Sequence, residues 1–377
     1  MNHLETLLHD LVAIDSTNPD LVPGAAGEAE IAAFIARWLE DAGLEVHLHE
    51  FAPGRPSVAA IARGRGGGKT LLLNGHMDTV GVGGMQRGHQ PQVRGGSLYG
   101  RGAYDMKGGV TSCMLAAAEA RQLALRGDVI FCAVADEEFA GKGTMTVAQH
   151  YRADGAIVAE PTHLQLIVAH KGFVWLEVET RGVAAHGSRP DLGVDAIVKM
   201  GPVLAGLEAL QQDLQSRLPH PRLGHASLHA SLIQGGQELS TYPERCLLSI
   251  ERRTLPGETL AAVESEIQAI LQQQGQADSA FHAVLRTGLS RLPLETPEDA
   301  AVVQAVSASA NGVLGRPPEL AGVAYWTDAA TLWEAGIPTL LFGPSGGGAH
   351  AVEEWVELDS VAACAQVYLE TAKIFCA

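Results

Sequence analysis

Near residue 171 the strand and helix pattern of this 377-residue chain breaks off, and near residue 290 it resumes. The block between opens on a strand, FVWLEVET, in which apolar residues alternate. A helix over 194–215 follows, then two strands, SLHASLIQ and RCLLSIER, a second helix over 259–274, and a last strand, SAFHAVLR. The order β-α-β-β-α-β is that of a ferredoxin-like unit, a complete small domain with its own core. It therefore reads as an insertion, residues 172–287, that divides a host domain into residues 1–171 and 288–377. The length agrees, since 377 residues exceed what one compact core usually holds.

The host alternates strands with helices and so predicts an α/β layer fold. Leu4, Leu7, Leu8, Leu11 and Val12 recur at helical spacing, as do Ile31, Phe34, Ile35, Trp38 and Leu39 within 27–42. Strand-like runs follow in LEVHLHEF, SVAAIAR and KTLLLNGH, then a helix through MLAAAEARQLAL and the strands DVIFCAVAD and GAIVAEP. After the insertion come helices at 298–310 and 327–335, the strand PTLLFGP and a closing helix at 359–374. The formal charge of −17 would repel a phosphate backbone, which argues against a nucleic-acid partner. No apolar run reaches membrane-spanning length, and the opening MNHLETLLHDLVAID has no small-residue cleavage site, so the expected compartment is the cytoplasm. Five cysteines, odd in number and without CxxC spacing, read as reduced packing residues.

The chemistry-bearing residues of the host stand at element boundaries. NGHMDTV places His76 and Asp78 at the end of an apolar strand, where ligands of α/β sheets gather. Asp105 lies in the glycine-flanked loop of LYGRGAYDMKGG, just before an apolar helix. Asp136, Glu137 and Glu138 directly follow the strand of DVIFCAVAD; three adjacent acids repel one another unless cations or solvent compensate them. Glu160 ends another strand in GAIVAEPT, and His350 follows the glycines of FGPSGGGAH. Alone, each has a bland explanation, a helix cap for Asp105 or a charged loop for the acids. Together, two histidines and three carboxylates form a ligand set suited to Zn²⁺, Mn²⁺ or Co²⁺. One carboxylate could bridge two ions about 3.5 Å apart.

These motifs, with AAHGSRP, ERRTLPGE and FGPSGGGAHAVEEWV, resemble the dinuclear zinc metallopeptidases and amidohydrolases that include acetylornithine deacetylase, succinyl-diaminopimelate desuccinylase, glutamate carboxypeptidase and aminoacylase. The resemblance runs from about residue 8 to the C-terminus. It implies a zinc-peptidase-like α/β catalytic domain with a mixed central sheet, and gives the ferredoxin-like insertion the role of lid and dimerisation domain. It further implies that Asp105 bridges two zinc ions, for which cobalt or manganese could substitute, with Glu138 and His350 completing one site and His76 and Glu160 the other. Glu137 is then the general base for a zinc-bridging hydroxide that attacks an amide carbonyl, and it returns the proton to the leaving amine. Asp78 becomes the carboxylate partner of His76, and the Asp105–Met106 peptide is expected to be cis. His186 in AAHGSRP would stabilise the oxyanion from a partner subunit, which makes a homodimer meaningful. Arg253 in ERRTLPGE would hold the substrate's carboxylate, with Arg252 turned to the other face of its strand. Ser240 stands where the family often has Asn, which alters the reach of a substrate or oxyanion contact.

The resemblance is greatest to the acetylornithine deacetylase and desuccinylase branch, so the expected reaction removes an N-acyl group from an N-acyl amino acid. A dipeptidase or carboxypeptidase shares the chemistry and differs in the acyl pocket. A catalytically inactive binding protein on the same fold would lack a ligand or the base, yet every position is filled. Two motifs mislead. RGRGGGKT imitates a phosphate loop but precedes a strand, and GPSGG fits GxSxG without the rest of a serine triad.

Overall fold

The structure, a computed structural model, describes residues 3–377. The chain forms two compact units. The first runs up to Val168 and takes in Thr296–Ala321 and Thr327–Ala377; the second comprises Ala169–Glu295 and Gly322–Trp326. The strip Gly322–Trp326, which falls in the expected host domain, therefore packs with the inserted one. Its Trp326 ring meets Phe173 edge-on at 6.0 Å.

The first unit is layered around a mixed sheet. From one edge the strands run Glu45–Glu50, Pro56–Ala62, Val129–Val134, Leu71–His76, Gly155–Val158, Thr339–Leu341 and Leu166–His170. The middle of this order, from Val129–Val134 to Thr339–Leu341, is parallel, and the pairs outside it are antiparallel. Pro56–Ala62, Leu71–His76 and Val129–Val134 are buried at every residue. Unbroken apolar runs suit strands covered on both faces. The helices Ala29–Asp41, Gly108–Ala120, Ala301–Leu314 and Leu358–Phe375 contribute Ile31, Ile35, Leu39, Cys113, Val306 and Tyr368 to this core. All five cysteines are buried and free of disulfides. Among the described residues no helix is long and apolar enough to cross a membrane.

Beside this layer lies a small four-stranded sheet of Gln92–Arg94, Ser97–Tyr99, Trp355–Glu357 and Gly346–Gly347. Sequence periodicity does not reveal it, because its strands are only two or three residues long. It matters because its antiparallel pair, Gly346–Gly347 with Trp355–Glu357, encloses the turn that carries His350. The helix Lys142–His150 is likewise absent from the sequence reading; its segment has few apolar positions and reads as a loop after the acids.

The second unit has the β-α-β-β-α-β order: strand Gly172–Arg181, helix Ala196–Ser216, strands Ser227–Gly235 and Arg245–Thr254, helix Leu260–Ala277 and strand His282–Arg291. Its antiparallel sheet has the first strand between the third and fourth, as a ferredoxin-like unit requires. Val174, Leu176, Val178, Leu248 and Ile250 face the helices and make a separate core with Met200, Val203 and Ile267.

Candidate metal centre and active site

Three adjacent parallel strands deliver the acids and one histidine to a single edge of the first unit's sheet. His76 is the last residue of Leu71–His76, Glu137 and Glu138 follow Val129–Val134, and Glu160 follows Gly155–Val158. Carboxyl ends of neighbouring parallel strands lie together, so residues far apart in sequence meet there. Asp105 arrives from a tight turn, Ala103–Lys107, that leads into the helix Gly108–Ala120. The helix comes close because residue 109 is glycine: a Cβ there would sit 2.0 Å from the carbonyl oxygen of Ala159, next to Glu160. The Asp105–Met106 peptide is cis, as expected. His350 has a left-handed backbone, φ 60, after Gly348.

The five expected ligands converge. The two oxygens of Asp105 face different histidines: Oδ1 is 3.1 Å from His76 Nε2, and Oδ2 is 3.4 Å from His350 Nε2. Glu138 lies 3.0 Å from His350 Nε2, and Glu160 lies 3.8 Å from His76 Nε2. Glu137 is 3.9 Å from the same His76 nitrogen. Ligand atoms of His76, Asp105 and Glu138, and again of His76, Glu137 and Glu160, lie within 4.8 Å of one another, close enough for each group to hold an ion. All are buried or nearly so except His350, whose side chain is 55% exposed and gives the cluster an open side.

The electrostatics ask for cations. Burial, with Asp105 as the chief charged neighbour, pushes Glu160 up to about 8, and it raises Glu138 for the same reasons. Glu137 is also raised by burial and by Glu160, Asp328 and Glu138, although His76 opposes them. Asp105 is held low despite burial, because His350 and His76 bond to it. His350 is driven up to about 10 by its bonds to Asp105 and Glu138. His76 is raised although burial works against it, because Asp105, Glu137 and Glu160 surround it. The raised histidines and the raised carboxyls alike reflect negative charge packed together, which a cation would compensate. Glu138 Oε1, moreover, is buried without a hydrogen-bond partner. Divalent ions with nitrogen and oxygen ligands fit both observations.

Asp78 departs from expectation. His76 Nδ1 bonds at 2.9 Å to the backbone carbonyl of Asp78, while the carboxylate is 3.7 Å away. That carboxylate instead accepts the backbone N–H groups of Glu137 at 3.1 Å and Glu138 at 3.2 Å, and Asn18 Nδ2 at 2.8 Å. It orients the acids more directly than the histidine. Asn18 does not stand out in the sequence, and neither does Glu354. Glu354 accepts the N–H groups of Gly102, Tyr104 and Asp105, each at 3.0 Å, and pairs with Arg101 at 2.6 Å. Buried Asp328 accepts Thr144 Oγ1 at 2.7 Å. Ser345, the decoy serine, donates its N–H to Ser360, and no nucleophile elbow forms around it.

The remaining expected residues belong to the second unit. His186 is bridged to Thr241, and its Nδ1 lies 2.8 Å from Ser188 Oγ. Ser240 accepts the Gly187 N–H at 2.7 Å through its carbonyl, so the two loops are tied together. Arg253 is partly exposed, 2.9 Å from Glu251 and 5.5 Å from the Phe173 ring centre. Arg252 is buried on the opposite face against Glu258, as the alternation predicts.

A cluster of acids and histidines suited to metal, at the strand ends of an α/β unit with a ferredoxin-like insertion, defines a metallohydrolase. Peptidase family M20/M25/M40 matches over residues 72–374, and the chain belongs to that family. An acetylornithine deacetylase of Myxococcus xanthus is 31% identical over 390 residues, covering 99% of this chain and 97% of the relative. An N-formyl-4-amino-5-aminomethyl-2-methylpyrimidine deformylase of Halalkalibacterium halodurans is 28% identical, covering 94% and 92%. In fold, the M20 family metallo-carboxypeptidase of Sulfolobus solfataricus is similar with a TM-score of 0.80 at 18% identity, covering 100% of this chain and 99% of that one. The chain is a hydrolase of amide bonds, as the motifs implied.

Proposed function

We propose that the protein removes an N-acyl group from an N-acyl amino acid, with two divalent ions bound around Asp105 and with Glu137 as general base. The observation that carries this reading is the two-sided setting of Asp105, one oxygen toward His76 and the other toward His350. Glu160 joins His76 on one side, and Glu138 joins His350 on the other. Zinc, with cobalt or manganese as substitutes, supplies acidification of a water and polarisation of the amide carbonyl when bound.

The chain's own residues do the rest. Glu137 is grouped by distance with His76 and Glu160, yet it stands farther from His76 than Asp105 does, 3.9 against 3.1 Å. Glu160 stands almost equally far, at 3.8 Å, so distance does not separate the two; the motif resemblance assigns Glu137 the proton, taken from water and returned to the departing amine. Arg253, partly exposed, offers a planar fork to the substrate's carboxylate. His186 serves as donor to the oxyanion from a partner subunit in a homodimer formed through the inserted domain, and Ser240 lies beside it as a polar contact. The relative named acetylornithine deacetylase supports a small acyl group and an amino acid product. The expected setting is the cytoplasm.

Elemental analysis alongside hydrolysis of acetylornithine, succinyl-diaminopimelate, acetylmethionine, acetylglutamate and several dipeptides tests the reading. About two ions per chain and chelator-sensitive cleavage of an N-acyl amino acid are expected. Preference for dipeptides would replace deacylation by peptidase action, and absence of both metal and cleavage would defeat the reading.

A further inference from the structure

Behind the acids a chain of buried polar groups leads away from the metal-type cluster, and no step of the reaction uses it directly. Its hub is Asn18, fully buried and distant in sequence from every ligand. The Asn18 N–H donates to the carbonyl of Thr79 at 2.9 Å, which hangs the residue on the segment that follows His76. Its Nδ2 donates to Asp78 Oδ2 at 2.8 Å, and, more weakly, to Asp136 Oδ1 at 3.4 Å. Its Oδ1 accepts the Asp20 N–H at 2.9 Å and Arg55 Nη2 at 3.2 Å.

Both carboxylates that share the Asn18 amide hold the same loop. Asp78 takes the N–H groups of Glu137 and Glu138 on its two oxygens. Asp136, the residue before them, has a left-handed backbone at φ 68, a region aspartate enters when its short side chain is hydrogen-bonded, here to the Lys142 N–H at 3.4 Å. Arg55 completes those contacts, 3.3 Å from Asp136 while its fork grips the buried Glu28. A primary amide suits the place because it presents two donors on one atom toward two acids and an acceptor toward a guanidinium. An apolar side chain would remove the bridge between the two carboxylates, leaving Asp136 to Arg55 and Lys142 and Asp78 to the Glu137 and Glu138 N–H groups.

We propose that Asn18 is a positioning residue, whose side-chain amide, braced by Arg55, joins Asp78 to Asp136 and so sets the direction of the Glu137 and Glu138 side chains. The inference rests on the reading of Glu137 as the base. It concerns residues of the first unit alone and needs no substrate contact.

The test is a double-mutant cycle of Asn18→Leu and Glu137→Gln on the metal-saturated full chain, with an N-acyl amino acid the wild type cleaves. Losing a hydrogen bond to a charged group should lower kcat about 10- to 100-fold in Asn18→Leu, with KM held within about threefold. In the Glu137→Gln background the same substitution should cost less than about threefold, because the base it positions is gone and saturating metal holds Glu138 in place. A merely structural role would give equal losses in both backgrounds, and that result, or an unchanged kcat in Asn18→Leu, overturns the proposal. If Asn18→Leu does not fold, Asn18→Ser takes its place in the cycle, where a loss confined to the intact-Glu137 background supports the proposal and equal losses overturn it. A Glu137→Gln enzyme of ordinary kcat would sink the base assignment instead, and Asn18 would then stand or fall on its own kcat.

Discussion

Glu137, like Glu160, makes no hydrogen bond to a histidine, and its carboxyl is pushed up by burial and by Glu160, Asp328 and Glu138 although His76 opposes them. A raised proton affinity is what a base needs, since it must hold the proton between water and the leaving amine. Glu137→Gln keeps the size and the backbone bond to Asp78 but cannot accept that proton. Turnover should fall about 10²- to 10⁴-fold while elemental analysis finds the wild-type metal content. Loss of metal along with activity would make Glu137 a ligand, and ordinary turnover would remove it from the chemistry. His76, Asp105, Glu138, Glu160 and His350 are legible in the sequence because each stands at an element boundary beside apolar runs or glycines. Asn18 carries no such signal. Its role depends on meeting Asp78 and Asp136, which lie 60 and 118 residues away.

Among the elements, the turn Ala103–Lys107 depends most on a distant partner. Its Asp105 and Met106 have non-helical backbones, so nearby N–H groups go without helical acceptors, and Glu354 supplies acceptors from across the chain. One Glu354 oxygen takes Tyr104 and Asp105, and the other takes Gly102 and Arg101. Glu354→Gln would turn one of these oxygens into a donor facing donors, leaving buried groups unpaired at a cost of about 2–4 kcal/mol. The expected outcome is a lower melting temperature and weaker metal uptake through Asp105, read by thermal unfolding and metal titration. Unchanged values in both would show that the turn holds its shape unaided. The motif VEEWV marks the region, but only the hairpin around His350 explains why its second acid reaches residue 105. That hairpin's strands are too short to show a period in the sequence.

For the whole molecule, the apolar alternation of the second unit and the unbroken apolar strands of the first are enough to read two cores, because each sheet face imposes its own period. The strip Gly322–Trp326 escapes such reading because its place rests on ring contacts of Trp326 with Phe173 and His170 rather than on periodicity. The second unit carries His186, whose ring meets its own loop's Ser188 and whose backbone is bridged to Thr241. In the proposed homodimer that imidazole completes the partner's site, so neither chain is whole alone. His186→Ala and Glu137→Ala should therefore each be nearly inactive as pure dimers. Mixed in equal amounts with free subunit exchange, half the dimers carry both chains, and each of those has one site with an intact Glu137 and an intact His186. Activity should recover to about a quarter of the wild type. Because a histidine acting within its own subunit would be missing from every chain that keeps Glu137, no recovery after confirmed exchange would place its action in cis, whereas ordinary activity of the pure His186→Ala dimer would remove it from the reaction.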